Sequence, residues 1–582
     1  MLRNKPTIWG VIAITTLSLA ATACNNSKEP AAGSSTSPSA SAPASSAAPS
    51  ASAAKTDDGP LGKYAPTITV STVRMQNSGL KFPSGDNWDN NVYTREIEKQ
   101  LGIKLTNKWV VDDQQYAKKL SVSMVAGDLP DLFQVNMQQL QLLVESGQAA
   151  DLTDLYAKYA SDLTKQSMED GGGIKKQAVT FGGKLMALPQ DGGGREDAHY
   201  LFIRNDWLKK LNLQPPKTMD DVINIAKAFA NNDPDGNGKK DTFGLSLDYN
   251  LFNGWSGLDG FFNGYHAYPF NPGGPNATGL NLMFLKGADG KLVYADIQPE
   301  VKTALGKLQE LFKAGAINPE FSVINGEKSA ELATSGKVGM TFGSFWVPSW
   351  PINDMKKTDP NVDWGVYPIV SADSQPALAT SNGFMPKWYY VVNKNSKNKE
   401  AVIKLLNFYM EKNYGASRDE EYHTHKEGDK VIETFSYAPI RSGFAETNQN
   451  DYAATAAALA SKDPSKLSPA AKVYYDNITK YRAGDMSQWW YEKEFAPGGT
   501  YDLLGQYKKN NSFMTNAFTG SPTDTMVAKG AALKDLEVQT FTKIILGESL
   551  DSFDKFVENW KKQGGDQITK EVNDWYATKG GK

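Results

Sequence analysis

From Pro30 to Ala54 the chain is built almost wholly of Ser, Ala and Pro, a short way behind its only cysteine, Cys24. A stretch so poor in large apolar side chains cannot bury enough surface to offset the entropy of ordering it. It divides the molecule into a disordered tether, residues 24–63, and a body that must supply its own core. As a flexible coil the tether has an end-to-end distance on the order of 35 Å. No thiol follows Cys24, so disulfides and cysteine-based metal sites are excluded from the body. The chain is 40% hydrophobic and 11% aromatic over 582 residues, ample for one large two-lobed body or two to three domains.

The residues ahead of the tether are basic, then apolar, then small: Arg3 and Lys5, the run Ile8 to Leu19, and Ala21-Thr22-Ala23. That is the organisation of a secretory signal peptide over 1–23, and its apolar run is too short to span a bilayer. The segment resembles a bacterial lipobox, with Ala21 where that family usually has Leu. The resemblance implies an acylated Cys24 and a body held at the extracellular face of a Gram-positive-type cell membrane. Two or more acyl chains anchor durably where one is marginal. Losing Arg3 and Lys5 moves the formal net charge from −3 to −5. Without a basic surplus, nucleic acid is excluded as a partner, and membrane contact is expected through the anchor only.

Beyond the tether, Thr67 to Arg74 reads as a β-branched strand, Tyr93 to Leu101 as an amphipathic helix and Lys104 to Val111 as a second strand. That order is a βαβ unit, hence a parallel sheet. Leu129 to Val135 continues the alternation, Gly182 to Pro189 suggests a hairpin, and Tyr200 to Arg204 another strand. Helical spacing is plain in Val301, Leu305, Leu308 and Leu311/Phe312, again in Phe553, Phe556, Val557 and Trp560, and in Ile568, Val572, Trp575 and Tyr576. These stripes are core faces. No repeat of solenoid or propeller length is present.

Asp233-Pro-Asp235-Gly-Asn237-Gly-Lys239-Lys-Asp241-Thr242 follows the helical segment Met219 to Ala230. Side-chain oxygens at loop positions one, three, five and nine, the Lys239 carbonyl at seven and Gly238 at six suit a structural calcium ion. Position twelve is Gly244 rather than a bidentate Glu. Thirteen tryptophans form the second constellation, several of them in Gly/Pro-rich loops: Trp88, Trp255, Trp346, Trp350, Trp388 and Trp489-Trp490. The apolar face of a pyranose packs on an indole, so such loops suit a sugar. Asp86, Asn87 and Asn90 around Trp88 read as a solvated turn, and His423-Thr-His425 as a solvated loop rather than a zinc site. There is no Walker loop, nucleophile elbow or dinucleotide fingerprint.

Lys291 to Tyr294, the run Leu311-Phe-Lys-Ala-Gly-Ala-Ile-Asn-Pro-Glu-Phe321, Gly336-Lys-Val-Gly-Met340 followed by Trp346, and the stretch Phe541 to Val572 together resemble the extracellular solute-binding proteins of carbohydrate ABC importers. The resemblance implies a periplasmic-binding-protein-like α/β fold, with two lobes, a hinge and a ligand cleft between them. It places one lobe at 64–197 with 376–440 and the other at 198–375 with 441–582. Trp346 falls where maltose-type members place a stacking tryptophan, and Trp350 extends that platform. Alginate-oligosaccharide binders of the broader family carry a similar cation loop, with an acid where this chain has Thr242. Asp191 and Arg204 flank the expected first crossover between lobes, so both are candidates to face the sugar with Trp88, Trp255 and Trp489.

The expected protein is a monomeric, non-enzymatic receptor that captures an extracellular oligosaccharide and delivers it to ABC permease subunits. A surface polysaccharide-degrading lyase or glycosidase would use the same aromatics as subsites, and a peptide-binding or adhesion lipoprotein is the third reading.

Overall fold

The computed structural model describes residues 55–56, 59–76, 80–190, 195–269, 282–381, 383, 385–428, 430–520 and 522–580. The signal peptide, Cys24, most of the tether and Asp191 lie outside the described residues. The strands that matter are β1 (Ile68–Gln76), β2 (Ile103–Asp112), β3 (Leu132–Val135), β4 (Leu188–Pro189), β5 (Tyr200–Arg204), β6 (Phe243–Leu245), β7 (Val338–Gly343), β8 (Trp364–Tyr367), β9 (Ala379–Ser381), β10 (Tyr389–Val392) and β11 (Phe513–Thr515).

They make two mixed sheets, each with its own core, and so two α/β lobes. The first has the order β2-β1-β3-β10-β4, with β1 parallel to β2 and β3, and β10 antiparallel to β3 and β4. Helices Val92–Leu101 and Lys399–Tyr414 cover it; the former buries Tyr93, Ile97 and Leu101 at i, i+4 and i+8, the core face its spacing predicted. The second sheet has the order β6-β7-β5-β8, with only β6 and β7 parallel. Helices Met219–Asn231, Pro299–Lys313 and Asp524–Ile545 carry its apolar stripes, and Phe553, Phe556, Trp560, Ile568 and Val572 complete that core.

The chain leaves the first core between Leu188 and Ala198, returns between Ala379 and Tyr389, and leaves again between Ile440 and Tyr452. The crossings are tied to one another: Gln190 N–H donates to Trp388 O at 3.0 Å, and Ser381 Oγ donates to Asp197 Oδ1 at 2.8 Å. β9 also pairs in parallel with β11. These crossings orient both sheets. β5 starts just after the first crossing, so its Tyr200 end faces the other lobe, and antiparallel pairing sets Gly343 of β7 beside Tyr200. β10 starts just after the second crossing, and its Tyr389 lies beside Val135, so the carboxyl ends of β1 and β3 are the interlobe ends of the first sheet. Carboxyl ends of parallel strands are where open α/β sheets hold ligands.

Three local expectations change. The body begins before residue 64, because Lys55–Thr56 pairs with Tyr64–Ala65 and the following turn is tied down by Lys404 Nζ on Gly62 O and Asn407 Nδ2 on Pro60 O, both at 2.8 Å. The hairpin is Thr180–Phe181 with Lys184–Leu185, turned by Gly182 and Gly183 at φ 55° and 80°, while Leu188–Pro189 joins the large sheet instead. His423 is not a solvated side chain: its ring lies 5.3 Å from Phe435, and burial lowers its pKa to about 4.

Candidate ligand-binding site

Strand β7 is buried along its whole length and ends at Gly343, after which the chain turns through Trp346 and Trp350 at the interlobe end of the second sheet. Trp255 reaches the same place through a bridge to Gly343. The rings of Trp346 and Trp350 lie 6.1 Å apart at 36°, and those of Trp255 and Trp350 6.2 Å apart at 70°. Trp255 is buried, Trp346 half-buried and Trp350 40% exposed, a gradient from core to solvent across three indoles. Gly254 makes the packing possible, since a Cβ there would lie 2.5 Å from Trp346 Cζ2 and 2.9 Å from Ser344 Oγ.

Polar groups hold the platform from behind. Asp248 accepts from Asn250 N–H at 2.8 Å and from Asn253 Nδ2 at 3.0 and 3.2 Å, while Asn253 Oδ1 accepts from Trp255 N–H at 2.8 Å. Burial pushes the Asp248 carboxyl up to about 6. Glu494, on helix Trp489–Phe495, accepts the Ser349 N–H at 3.1 Å in the turn between Trp346 and Trp350. Its burial pushes it up to about 8, so it sits neutral in the fold at pH 7. Thr500 Oγ1 donates to Phe345 O at 3.3 Å. Buried donors of Trp255, Tyr200 and Tyr501 have no acceptor among the described residues.

At the interlobe end of the other sheet stands Trp88. Its Nε1–H donates to Gln76 Oε1, the last residue of β1, at 2.8 Å. The ring sits edge-on to Phe82 at 5.4 Å and to Tyr437 at 6.4 Å, under the Arg74 guanidinium at 5.3 Å. Asp86 and Asn90 hold Arg95, and Asn87 caps its own turn.

The remaining candidates lie apart from the platform. Arg204 is at the far end of β5, four residues or about 13 Å from Tyr200. Its guanidinium grips Asp206 through two bonds of 2.8 and 2.5 Å and stacks over Trp207, a structural ion pair. Trp489 is 1% exposed and packs in the core under Lys493. Glu494, Asp248, Asn253, Tyr200 and Tyr501 carry no motif in the sequence; only the Gly-rich run around Trp255 marks the region.

The cation loop is also at that far end, because β6, which follows it, pairs Phe243 with Val338. Asp233 accepts the amides of Gly236, Asn237 and Gly238 at 2.9, 3.0 and 3.0 Å, with Gly236 and Gly238 at φ 77° and 76°. Lys337 Nζ lies 2.7 Å from Asp241 and 3.3 Å from Asp235. Asn237 Nδ2 donates to the same two carboxylates, at 3.1 and 2.7 Å. Thr242 is corrected outright: its side chain is buried and donates to Phe229 O at 2.7 Å, away from the loop. Among the described residues no group of three or more His, Cys, Asp or Glu is placed to hold a metal ion. As folded, the loop interior presents N–H donors, which do not suit a divalent cation.

The chain is 24% identical to "Lipoprotein LipO" of Bacillus subtilis over 491 residues, 83% of this chain and 88% of the relative. It is 24% identical to the "Polygalacturonan/rhamnogalacturonan-binding protein YtcQ" of the same organism over 495 residues, 82% and 87% of the two. Its fold is that of FusA of Streptococcus pneumoniae, solved with kestose, at TM-score 0.60 and 18% identity over 88% of this chain and 100% of that one. FusA has also been solved as an EF-hand mutant with fructo-nystose, TM-score 0.59 and 17% identity, over 88% and 99%. The family model described as "Bacterial extracellular solute-binding protein" matches residues 83–416. With more than half its length under that model and the two-lobed fold to match, the chain belongs to the bacterial extracellular solute-binding proteins.

Proposed function

We propose that this protein is a monomeric cell-surface receptor that binds an oligosaccharide between its lobes and passes it to the permease of an ABC importer. The observation that carries this reading is the platform of Trp255, Trp346 and Trp350 at one interlobe end, with Trp88 at the other. Indoles bracketed by hydrogen-bonding groups suit stacked pyranose or furanose rings. Family membership and the names of its relatives, a pectic-polymer binder and a fructooligosaccharide receptor, point to the same ligand class. A ligand touching both platforms would bias a hinge at the three crossings toward closure.

In this reading the lobes are 55–197 with 376–440 and 198–375 with 441–582, Cys24 carries the lipid anchor at the extracellular face, and residues 24–54 are the spacer. Calcium enters at the 233–241 loop only as a ligand that must displace Lys337. The test is a titration of neutral and acidic oligosaccharides against tryptophan fluorescence. At least one sugar binds at micromolar level or below, and Trp346→Ala weakens it by about 2 kcal/mol, near thirtyfold in Kd. A broad panel with no binder, or a binder indifferent to Trp346→Ala, refutes the assignment.

A further inference from the structure

The 233–241 loop has the oxygens of a calcium site but not the centre of one, and two features of the surrounding fold explain why. The first is at the twelfth loop position, where a bidentate acid would normally close the coordination sphere. Gly244 stands there, pressed on helix Met219–Asn231 so closely that a Cβ would lie 2.1 Å from Ala226 O. No side chain of any kind can be put at that position without moving the helix. The second is the residue that leads into β7. The Lys337 carbonyl accepts the Phe243 N–H at 2.7 Å, fixing the loop exit, while its ammonium turns into the loop between Asp235 and Asp241.

We propose that Lys337 is the resident cation of this loop, an intramolecular ammonium that takes the place of a divalent ion and makes the fold independent of calcium. This rests on the calcium reading given above only in supposing that the oxygens would accept a metal once the ammonium is gone. Asp241 and Asp235 carry negative charge that otherwise repels across the loop, and Lys337 neutralises both at once. The ion pairs are about three-quarters buried on the lysine side, with 26% of its side chain exposed. Lys337 raises no acid of its own: the two partners hold each other charged, the Asp241 carboxyl below and the Lys337 ammonium above its ordinary range. The competition has a definite direction, because one site cannot hold an ammonium and a calcium ion together.

The experiment uses the full chain as wild type, Lys337→Met, which keeps the length and removes the charge, and Lys337→Arg, which keeps the charge. Unfolding midpoints are measured in chelator and in excess calcium chloride, and calcium binding by titration calorimetry. The wild type and Lys337→Arg melt at the same temperature in both solutions. Lys337→Met melts lower than wild type in chelator, recovers in calcium, and binds calcium about tenfold more tightly or better, a shift within the range that ligand charge sets in such loops. A wild type that loses stability on chelation overturns the proposal, as does a Lys337→Met protein that keeps the wild-type midpoint in chelator. If Lys337→Met is destabilised but neither protein takes up calcium, the calcium reading of the loop fails while Lys337 stands as the cation shared by Asp235 and Asp241.

Discussion

Gly254 and Glu494 show how single residues set the proposed binding surface without touching a ligand. Gly254 leaves room for the Trp346 ring, so Gly254→Ala must push that indole aside. The expected outcome is a changed tryptophan emission maximum and near-ultraviolet circular dichroism, with sugar binding weakened and the far-ultraviolet spectrum kept. Unchanged Trp346 signals would show that the indole does not pack against Gly254. Glu494 makes a pH prediction. Its carboxyl is held neutral up to about pH 8 in the fold, against an ordinary value of 4.5. Between those values the folded state keeps a proton that the unfolded chain has released, so stability falls as pH rises through the window and levels off above it. Glu494→Gln keeps an acceptor for Ser349 and removes this contribution. The midpoint of the variant therefore declines less than that of wild type from pH 5 to 8, leaving the parts owed to other buried carboxyls, among them Asp259 and Asp248, raised by burial to about 8 and about 6. Parallel profiles for the two proteins would rule it out.

Among elements, helix Val92–Leu101 ties fold to site most directly. Asn91 accepts from Tyr93 and Thr94 N–H at 3.0 and 3.2 Å, Thr94 Oγ1 accepts back from Asn91 N–H at 2.8 Å, and the Asn91 amide donates to Asn87 O and Trp88 O. One side chain thus caps the helix and fixes the loop that presents Trp88. Asn91→Ala should cost about 1–2 kcal/mol in chemical denaturation, and should loosen Trp88 as read by its accessibility to quencher. A loss under a few tenths of a kcal/mol would mean that water replaces the cap. This element was legible beforehand because its period and its polar start are local. The hairpin at 180–189 was legible only in part: two consecutive glycines set the turn, but the choice of Leu188–Pro189 to pair with Tyr389 depends on a strand 200 residues away. The turn after Lys55–Thr56 was not legible at all, since the donors that order it, Lys404 and Asn407, come from another helix.

For the molecule as a whole, two sheets with separate cores and three crossings predict a hinge. Ligand should lower the radius of gyration in solution scattering and raise the unfolding midpoint, by about 2.7 kcal/mol of added stability at a hundredfold excess over Kd. A saturating sugar that leaves the scattering curve unchanged would show that binding occurs without closure. What the sequence by itself determined is everything written in short-range order: the Ser/Ala/Pro composition behind Cys24, the opening βαβ unit, the helical core stripes, and the oxygen spacing of the 233–241 loop. What only the tertiary structure decided is which of these residues meet. It gathered Trp255, Trp346 and Trp350 onto one surface, sent Arg204 to the opposite end of the same sheet, buried Trp489, turned Thr242 into the core and brought Lys337 to the loop from the start of β7, about a hundred residues on. The reason is physical: periodicity and capping act over a few residues, whereas sheet order and side-chain packing join positions whose separation along the chain carries no signal.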